Sequence, residues 1–284
     1  MQVVDSLVGL RTRVKNWRQQ NEVVAFVPTM GNLHDGHLSL VQKARELADR
    51  IVVSIFVNPL QFNDKNDLTT YPRTLSEDIN LLSEMDCDLV FTPSDAVMYP
   101  QGMAQQTRIH VPGMDDKLCG LGRPGHFDGV ATVVAKFLNM VQPDIAVFGE
   151  KDYQQLMLIK KLTQDLNLSV DIVGAATCRD SKGLALSSRN NLLTAEQRKR
   201  APELHQQLLM VKNALNDGAM DLDAVISDAQ TRLKQAGFEP EYLEVRRALD
   251  LEPAQLGQDT ALRILVAARL GNVRLIDNIA CDLA

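Results

Sequence analysis

Cysteine is scarce: four residues, Cys87, Cys119, Cys178 and Cys281, are spread over 284 positions with no paired spacing. That excludes a disulfide framework and a paired-thiolate zinc site, and it makes reduced thiols in a cytoplasmic protein the expectation. Aromatic residues are also few, at 5% with one Trp, and Trp17 falls at helical spacing that assigns it to the core. No apolar run is long enough to span a bilayer and no signal-like core precedes the first helix pattern, so neither membrane insertion nor secretion is expected. Positive charge is not in excess. With a net charge of −6 and a pI near 5.4 there is no broad basic face for nucleic acid, and any phosphate site must be local.

What the chain does have is length, 45% hydrophobic residues and a regular alternation of patterns. Apolar strand patterns recur at 23–27, 51–57, 88–91, 145–148 and 170–173. Helical patterns fall at 6–20, 37–49, 76–85, 129–141 and 153–166. Strands alternating with helices predict an α/β fold, a Rossmann-like doubly wound parallel sheet, and the nearly unbroken apolar run Ile51–Val57 fits a sheet covered on both faces. Beyond about residue 176 the pattern changes to two polar-rich helices, 195–215 and 222–235, and strands at 242–246, 262–268 and 273–277. The last two strands flank a Gly271-Asn272 turn suited to a hairpin. The expected organisation is a domain over 1–176 and a smaller α+β lid domain over 177–284.

Ligands of an open parallel sheet bind beyond the carboxyl ends of its strands, so the loops there hold the chemistry. The first is Pro28-Thr29-Met30-Gly31-Asn32-Leu33-His34-Asp35-Gly36-His37, a strand end, two glycines, two imidazoles one helical turn apart, and a helix start. Main-chain N–H groups at such a helix start face an anion, and the histidines serve as general acids or phosphate donors, unless one of them merely caps the turn. The second loop is Asn58-Pro59-Leu60-Gln61-Phe62. The third runs Gly149-Glu150-Lys151-Asp152-Tyr153-Gln154-Gln155, where Lys151 and Asp152 form either a phosphate and ribose clamp or a surface ion pair. The fourth runs from Arg179-Asp180 through Gly183 to Leu186-Ser187-Ser188-Arg189-Asn190, a mobile phosphate-gripping loop or a polar turn. All four are expected to converge on one crevice. The neutral amides Gln61 and Gln155 suit the hydroxyl and carboxylate of a small polar substrate. Glu77 and Asp78 either hold a divalent cation or favour the start of their helix, and Arg123-Pro124-Gly125-His126-Phe127 either covers the substrate or turns the chain.

Taken in order, the Pro28–His37 loop, Ile55–Phe62, Tyr71-Pro72-Arg73-Thr74, Arg123–Phe127, Phe148–Asp152 and Gly183–Asn190 make the chain resemble the pantoate–beta-alanine ligases over almost its whole length. The resemblance implies condensation of (R)-pantoate with beta-alanine at the expense of ATP through a pantoyl adenylate, releasing pyrophosphate and then AMP, with magnesium, in a cytoplasmic homodimer. It implies an ATP site of Met30, Gly31, Asn32, Leu33, His34, Asp35, Gly36, His37, Gly149, Glu150, Lys151, Asp152, Cys178, Leu186, Ser187, Ser188 and Arg189. Within it His37 is the proton donor, and His34, Lys151 and Arg189 share the catalytic work. Gln61 and Gln155 hold pantoate with support from Asn58, and Asp78, with Glu77, lies nearest magnesium. Ala175-Ala176-Thr177-Cys178 departs from the proline and aliphatic residue more usual there, which bears on adenine contact through the main chain at Cys178.

Two other function classes use the same histidine turn. Transfer of AMP to a phosphorylated acceptor calls for cations where Gln61 and Gln155 stand. A noncatalytic nucleotide-binding module has no need of His37, Lys151 and Arg189 together.

Overall fold

The computed structural model describes residues 1–63 and 65–283, which fall into two compact units, one within 1–150 with 154–176 and one within 151–153 with 177–283. In the first, six strands lie in the order β1-β4-β3-β2-β5-β6: β1 Gln2–Val4, β2 Val24–Thr29, β3 Arg50–Ile55, β4 Leu89–Phe91, β5 Ile145–Gly149 and β6 Asp171–Ala175. Every pairing is parallel, so the loops that follow β2, β3, β4 and β5 leave the sheet on one edge. The chain works outward from β2 to β4 and then crosses to the far side of β2 to begin β5. Strands β2 and β5 therefore bound the switch point where an open α/β sheet binds ligands.

Alternate side chains of the central strands serve opposite faces. Ala25, Val27, Ile51 and Val53 pack with Leu40, Val41 and Ala44 of the helix Asp35–Arg45. From the same sheet, Phe26 and Phe91 meet Phe137 of the helix His126–Val141 at centroid distances of 5.6 and 6.2 Å. With helices on both sides, Val24 to Val27 are all fully buried, which is why their sequence reads as an unbroken apolar run. Strand β1 has only three residues and pairs with β4, too short for periodicity to reveal. No helix among the described residues is long and apolar enough to cross a membrane.

The second unit is an antiparallel sheet in the order β7-β8-β9, formed by Glu239–Arg247, Ala261–Leu270 and Val273–Asp282. Leu262, Ile264 and Val266 of β8 pack against Leu204, Leu208 and Val211 of the helix Glu203–Asn216 and Leu233 of the helix Leu222–Gln235. The helix predicted over 195–215 is two, Ala195–Arg200 and Glu203–Asn216, because Pro202 has no N–H to continue the hydrogen-bond ladder, although Ala201 and Pro202 both keep helical dihedrals. Strand β9 runs five residues past its predicted end, carrying Asp277 and Asn278, both buried, inside the sheet.

Candidate active site

Beyond β2 the chain turns at Gly31, φ +80°, and Asn32, φ +51°. A Cβ on Gly31 would lie 2.9 Å from Asp78 Oδ2 and 3.1 Å from Ile55 Cγ2, so both the dihedral and the space demand glycine. Thr29 Oγ1 donates to Ser54 O at 2.7 Å and accepts from Gly31 N at 3.2 Å, tying the turn to β3. His34 is the N-cap of the helix that follows, and its Nδ1 accepts from Gly36 N at 3.1 Å. That bond fixes the tautomer with the proton on Nε2, so the ring's far edge is a donor. His37, in the first turn, lies against it with centroids 4.1 Å apart and the rings tilted by 43°. The histidine turn thus gathers a helix N-terminus and two half-buried imidazoles in one place.

Asp78, on the helix Leu75–Glu84, reaches this turn. Its oxygens accept from Leu33 N at 2.8 Å, Asn32 N at 3.0 Å and the Thr74 hydroxyl at 3.2 Å, with only 1% of the residue exposed. A buried carboxylate engaged by two N–H groups and a hydroxyl braces the turn. Glu77 is exposed in the first turn of its helix, where the helix dipole favours its charge. Asp78→Ala is expected to lower stability by roughly 2–4 kcal/mol, since two main-chain donors lose their acceptor. The apparent magnesium requirement of turnover should stay where it is. Denaturant unfolding and a magnesium titration check both, and a large shift in the magnesium midpoint would assign Asp78 a ligand role.

After β3, the turn Pro59–Gln61 holds the neutral amides. Asn58, 1% exposed, donates to Gln61 Oε1 at 3.1 Å and to Gly129 O at 3.2 Å, and accepts from the Tyr99 hydroxyl at 2.6 Å. Gln61 Nε2 points at Met30 Sδ, 3.2 Å away, which joins this turn to the histidine turn. The carbonyl of Gln61 accepts from His126 Nδ1 at 2.7 Å and Arg123 at 3.3 Å, while Arg123 also donates to His126 Nε2 at 3.1 Å. His126 is thereby held as the neutral Nδ1–H tautomer, and the Arg123–Phe127 loop acts as a clamp on the Gln61 main chain. The close fit requires Gly129, whose Cβ would fall 2.3 Å from Leu60 O.

Gln154 and Gln155 part company. Gln154 is buried and donates to Met114 O and Lys117 O while accepting from Cys119 N, all within 3.0 Å, so it holds the 114–119 loop. Gln155 is half-buried. Tyr99 lies in the segment after β4, a strand end of the same kind as the other three, where a lone aromatic carries no local spacing signal.

In the second unit, Lys151 lies 3.7 Å from Asp152 Oδ2, with its side chain 19% exposed and that of Asp152 50%. Residues 178–186 are a hydrogen-bonded hairpin. Cys178 O accepts from Leu186 N at 2.9 Å, Arg179 bridges Ala185, and Asp180 Oδ1 accepts from Lys182 N and Leu184 N. Ser187 Oγ accepts from Arg189 N at the head of the short turn Ser188–Leu192, which buried Asn190 anchors through its bond to Ala185 O. The expected four-loop set is therefore divided: the histidine turn, the Asn58–Gln61 turn, Gly149, Glu150 and Gln155 belong to the first unit, and Lys151, Asp152, Cys178 and Leu186–Arg189 to the second.

The family model described as pantoate-beta-alanine ligase matches residues 2–280. A pantothenate synthetase of Ectopseudomonas mendocina is 56% identical over 100% of this chain and 99% of its own length, and one of Pseudomonas aeruginosa is 54% identical over the full length of both. Among solved structures, the pantothenate synthetase of Thermus thermophilus superposes with a TM-score of 0.90 at 42% identity, covering 98% of this chain and 99% of that one. The pantoate-beta-alanine ligase of Francisella tularensis, complexed with beta-gamma ATP and beta-alanine, gives a TM-score of 0.81 at 36% identity over 98% and 97%.

Proposed function

The chain belongs to the pantoate–beta-alanine ligase family, and from that premise we propose how its own side chains carry the ATP-dependent joining of pantoate to beta-alanine. The overall reaction yields pantothenate, AMP and pyrophosphate. A carboxylate cannot expel oxide under attack by an amine, so the acid must first receive a better leaving group. The pantoate carboxylate attacks the α-phosphorus of ATP and pyrophosphate departs; beta-alanine nitrogen then attacks the acyl carbon of the pantoyl adenylate and AMP departs. Both steps need alignment and charge neutralisation more than a protein nucleophile.

The reading assigns the phosphates to the N–H groups at the start of the Asp35–Arg45 helix and to the outward edges of His34 and His37, with His37 protonating the departing group. Lys151 neutralises phosphate charge, Asp152 takes the ribose, and Ser187, Ser188 and Arg189 grip the pyrophosphate. Met30, Gly149 and the main chain at Cys178 and Leu186 complete the nucleotide contacts. Gln61 and Gln155 orient pantoate, with Asn58, Tyr99 and the Arg123–His126 clamp holding Gln61 in place. The magnesium that the family resemblance implies would supply neutralisation of triphosphate charge, with Asp78 and Glu77 the carboxylates nearest it. The scarcity and scattered spacing of the four cysteines support a reducing, cytoplasmic setting, and the family resemblance supports a homodimer.

The observation that carries this reading is the hydrogen-bonded contact between the histidine turn and a neutral amide pair, Met30 to Gln61 to Asn58. It supports an anion-binding helix start beside amides suited to hydroxyl and carboxylate. Incubation with MgATP and pantoate, beta-alanine withheld, should leave pantoyl adenylate bound to the protein, visible by mass spectrometry. AMP appearing without pantoate, or no acyl adenylate at any enzyme concentration, would overturn the assignment.

A further inference from the structure

Lys151–Tyr153 groups with the second unit although the chain on both sides of it belongs to the first. Two attachments hold the segment there. Asn278 Nδ2 donates to Lys151 O at 2.8 Å, and the Tyr153 hydroxyl donates to Ala248 O at 2.9 Å while its ring lies 4.1 Å from the Arg263 guanidinium. Asn278 is 3% exposed and its other amide atom, Oδ1, accepts from Arg263 Nε at 2.6 Å. Its main-chain N–H donates to Asp277 Oδ1 at 2.7 Å, and Asp277 receives both ends of the Arg179 guanidinium, at 2.6 and 2.8 Å. Adjacent residues of a strand point to opposite faces, so this dipeptide reaches two separate segments, Arg179 of the 178–186 hairpin on one side and the Lys151 carbonyl on the other.

A buried ionic network of this kind is not the most stabilising filling for a sheet face, since apolar residues of similar volume usually serve stability as well or better. What the network supplies is directional: an amide accepts from an arginine and donates to one particular carbonyl. We propose that Asn278 is a positioning residue for Lys151, fixing the main chain from which the lysine reaches phosphate, so that the antiparallel sheet, and not strand β5 that precedes it, sets where the cation stands. The proposal rests on the reading of Lys151 as a phosphate ligand.

Asn278→Asp tests it, because a carboxylate keeps the size and the acceptor for Arg263 and loses the donor to Lys151. The expected result is a KM for ATP raised about tenfold or adenylate formation slowed by a similar factor, with the KM for pantoate within twofold and a lower melting temperature, since the Lys151 carbonyl then faces a carboxylate oxygen. In a Lys151→Ala background the same substitution should cost nothing further, since a positioning effect disappears with the group positioned. An unchanged KM for ATP and adenylation rate, or an equal loss with and without Lys151, would sink the proposal. If Lys151→Ala itself leaves adenylation intact, it is the phosphate reading that fails. Tyr153→Phe, which keeps the ring beneath Arg263 and removes the hydroxyl bond, gives a second route should Asn278→Asp not fold: it predicts a smaller loss, again confined to ATP, and an equal loss for ATP and pantoate counts against the proposal.

Discussion

His37→Ala is expected to slow pyrophosphate release with pantoate and ATP by about 10²–10³-fold, the range for removing a positioned general acid or charge-stabilising donor. The imidazole occupies the first turn of the Asp35–Arg45 helix, where negative charge is already favoured, and its ring is packed on that of His34. Negative charge builds on the departing pyrophosphate as the bond to the α-phosphorus breaks, so a donor there gains strength in the transition state and accelerates the step. The loss should therefore appear chiefly in kcat, with the affinity for ATP changed far less. His34 allows a cleaner comparison than alanine gives. His34→Ala removes a cap, at a cost of about 1 kcal/mol, as well as an imidazole, whereas His34→Asn restores a capping acceptor and removes only the outward donor. Single-turnover measurement of pyrophosphate with beta-alanine omitted separates chemistry from product release. A His37→Ala rate within threefold of the parent would reassign the proton donor.

The parallel sheet was legible because fully buried strands leave long apolar runs, as at Ile51–Val53, and because amphipathic helices alternate with them. The short edge strand β1 was not, since three residues carry no period. The far half of β9 was hidden for a different physical reason: Asp277 and Asn278 read as a strand end, and only their partners Arg179, Arg263 and the Lys151 carbonyl, distant in sequence, let them lie inside a sheet. The same limit applies to the site. Sequence put two imidazoles at one turn because helical spacing is local. It could not tell that Asp78 would reach back 46 residues to brace Asn32, or that Gln154 and not Gln155 would be consumed in holding the 114–119 loop. Residue type and local spacing declare which groups are available; long-range hydrogen bonds decide which of them remain for a substrate.

Lys151→Ala is the second large effect, and it should differ in kind from His37→Ala. Lysine is a compact charge that binds phosphate without the planar fork of arginine, and at 19% side-chain exposure its cation acts in a medium less screening than bulk water. It attracts the triphosphate before reaction and more strongly as charge moves toward the pyrophosphate. The expected result is a fall of about 10²–10⁴ in kcat/KM for ATP, divided between a weaker KM and a slower adenylation step, with the KM for beta-alanine unaltered. Lys151→Arg should recover little of it, because the guanidinium is larger and carries its charge on a rigid plane, whereas the Asn278 bond fixes only where the side chain starts. The fold should survive: the anchors of this segment are the Lys151 carbonyl and the Tyr153 side chain, neither of which the substitution removes. Equal melting temperatures with adenylation reduced a hundredfold would place the loss in phosphate binding. A near-normal rate of pyrophosphate release in Lys151→Ala would assign the phosphates to other cations and remove the reason for Asn278 to hold this carbonyl.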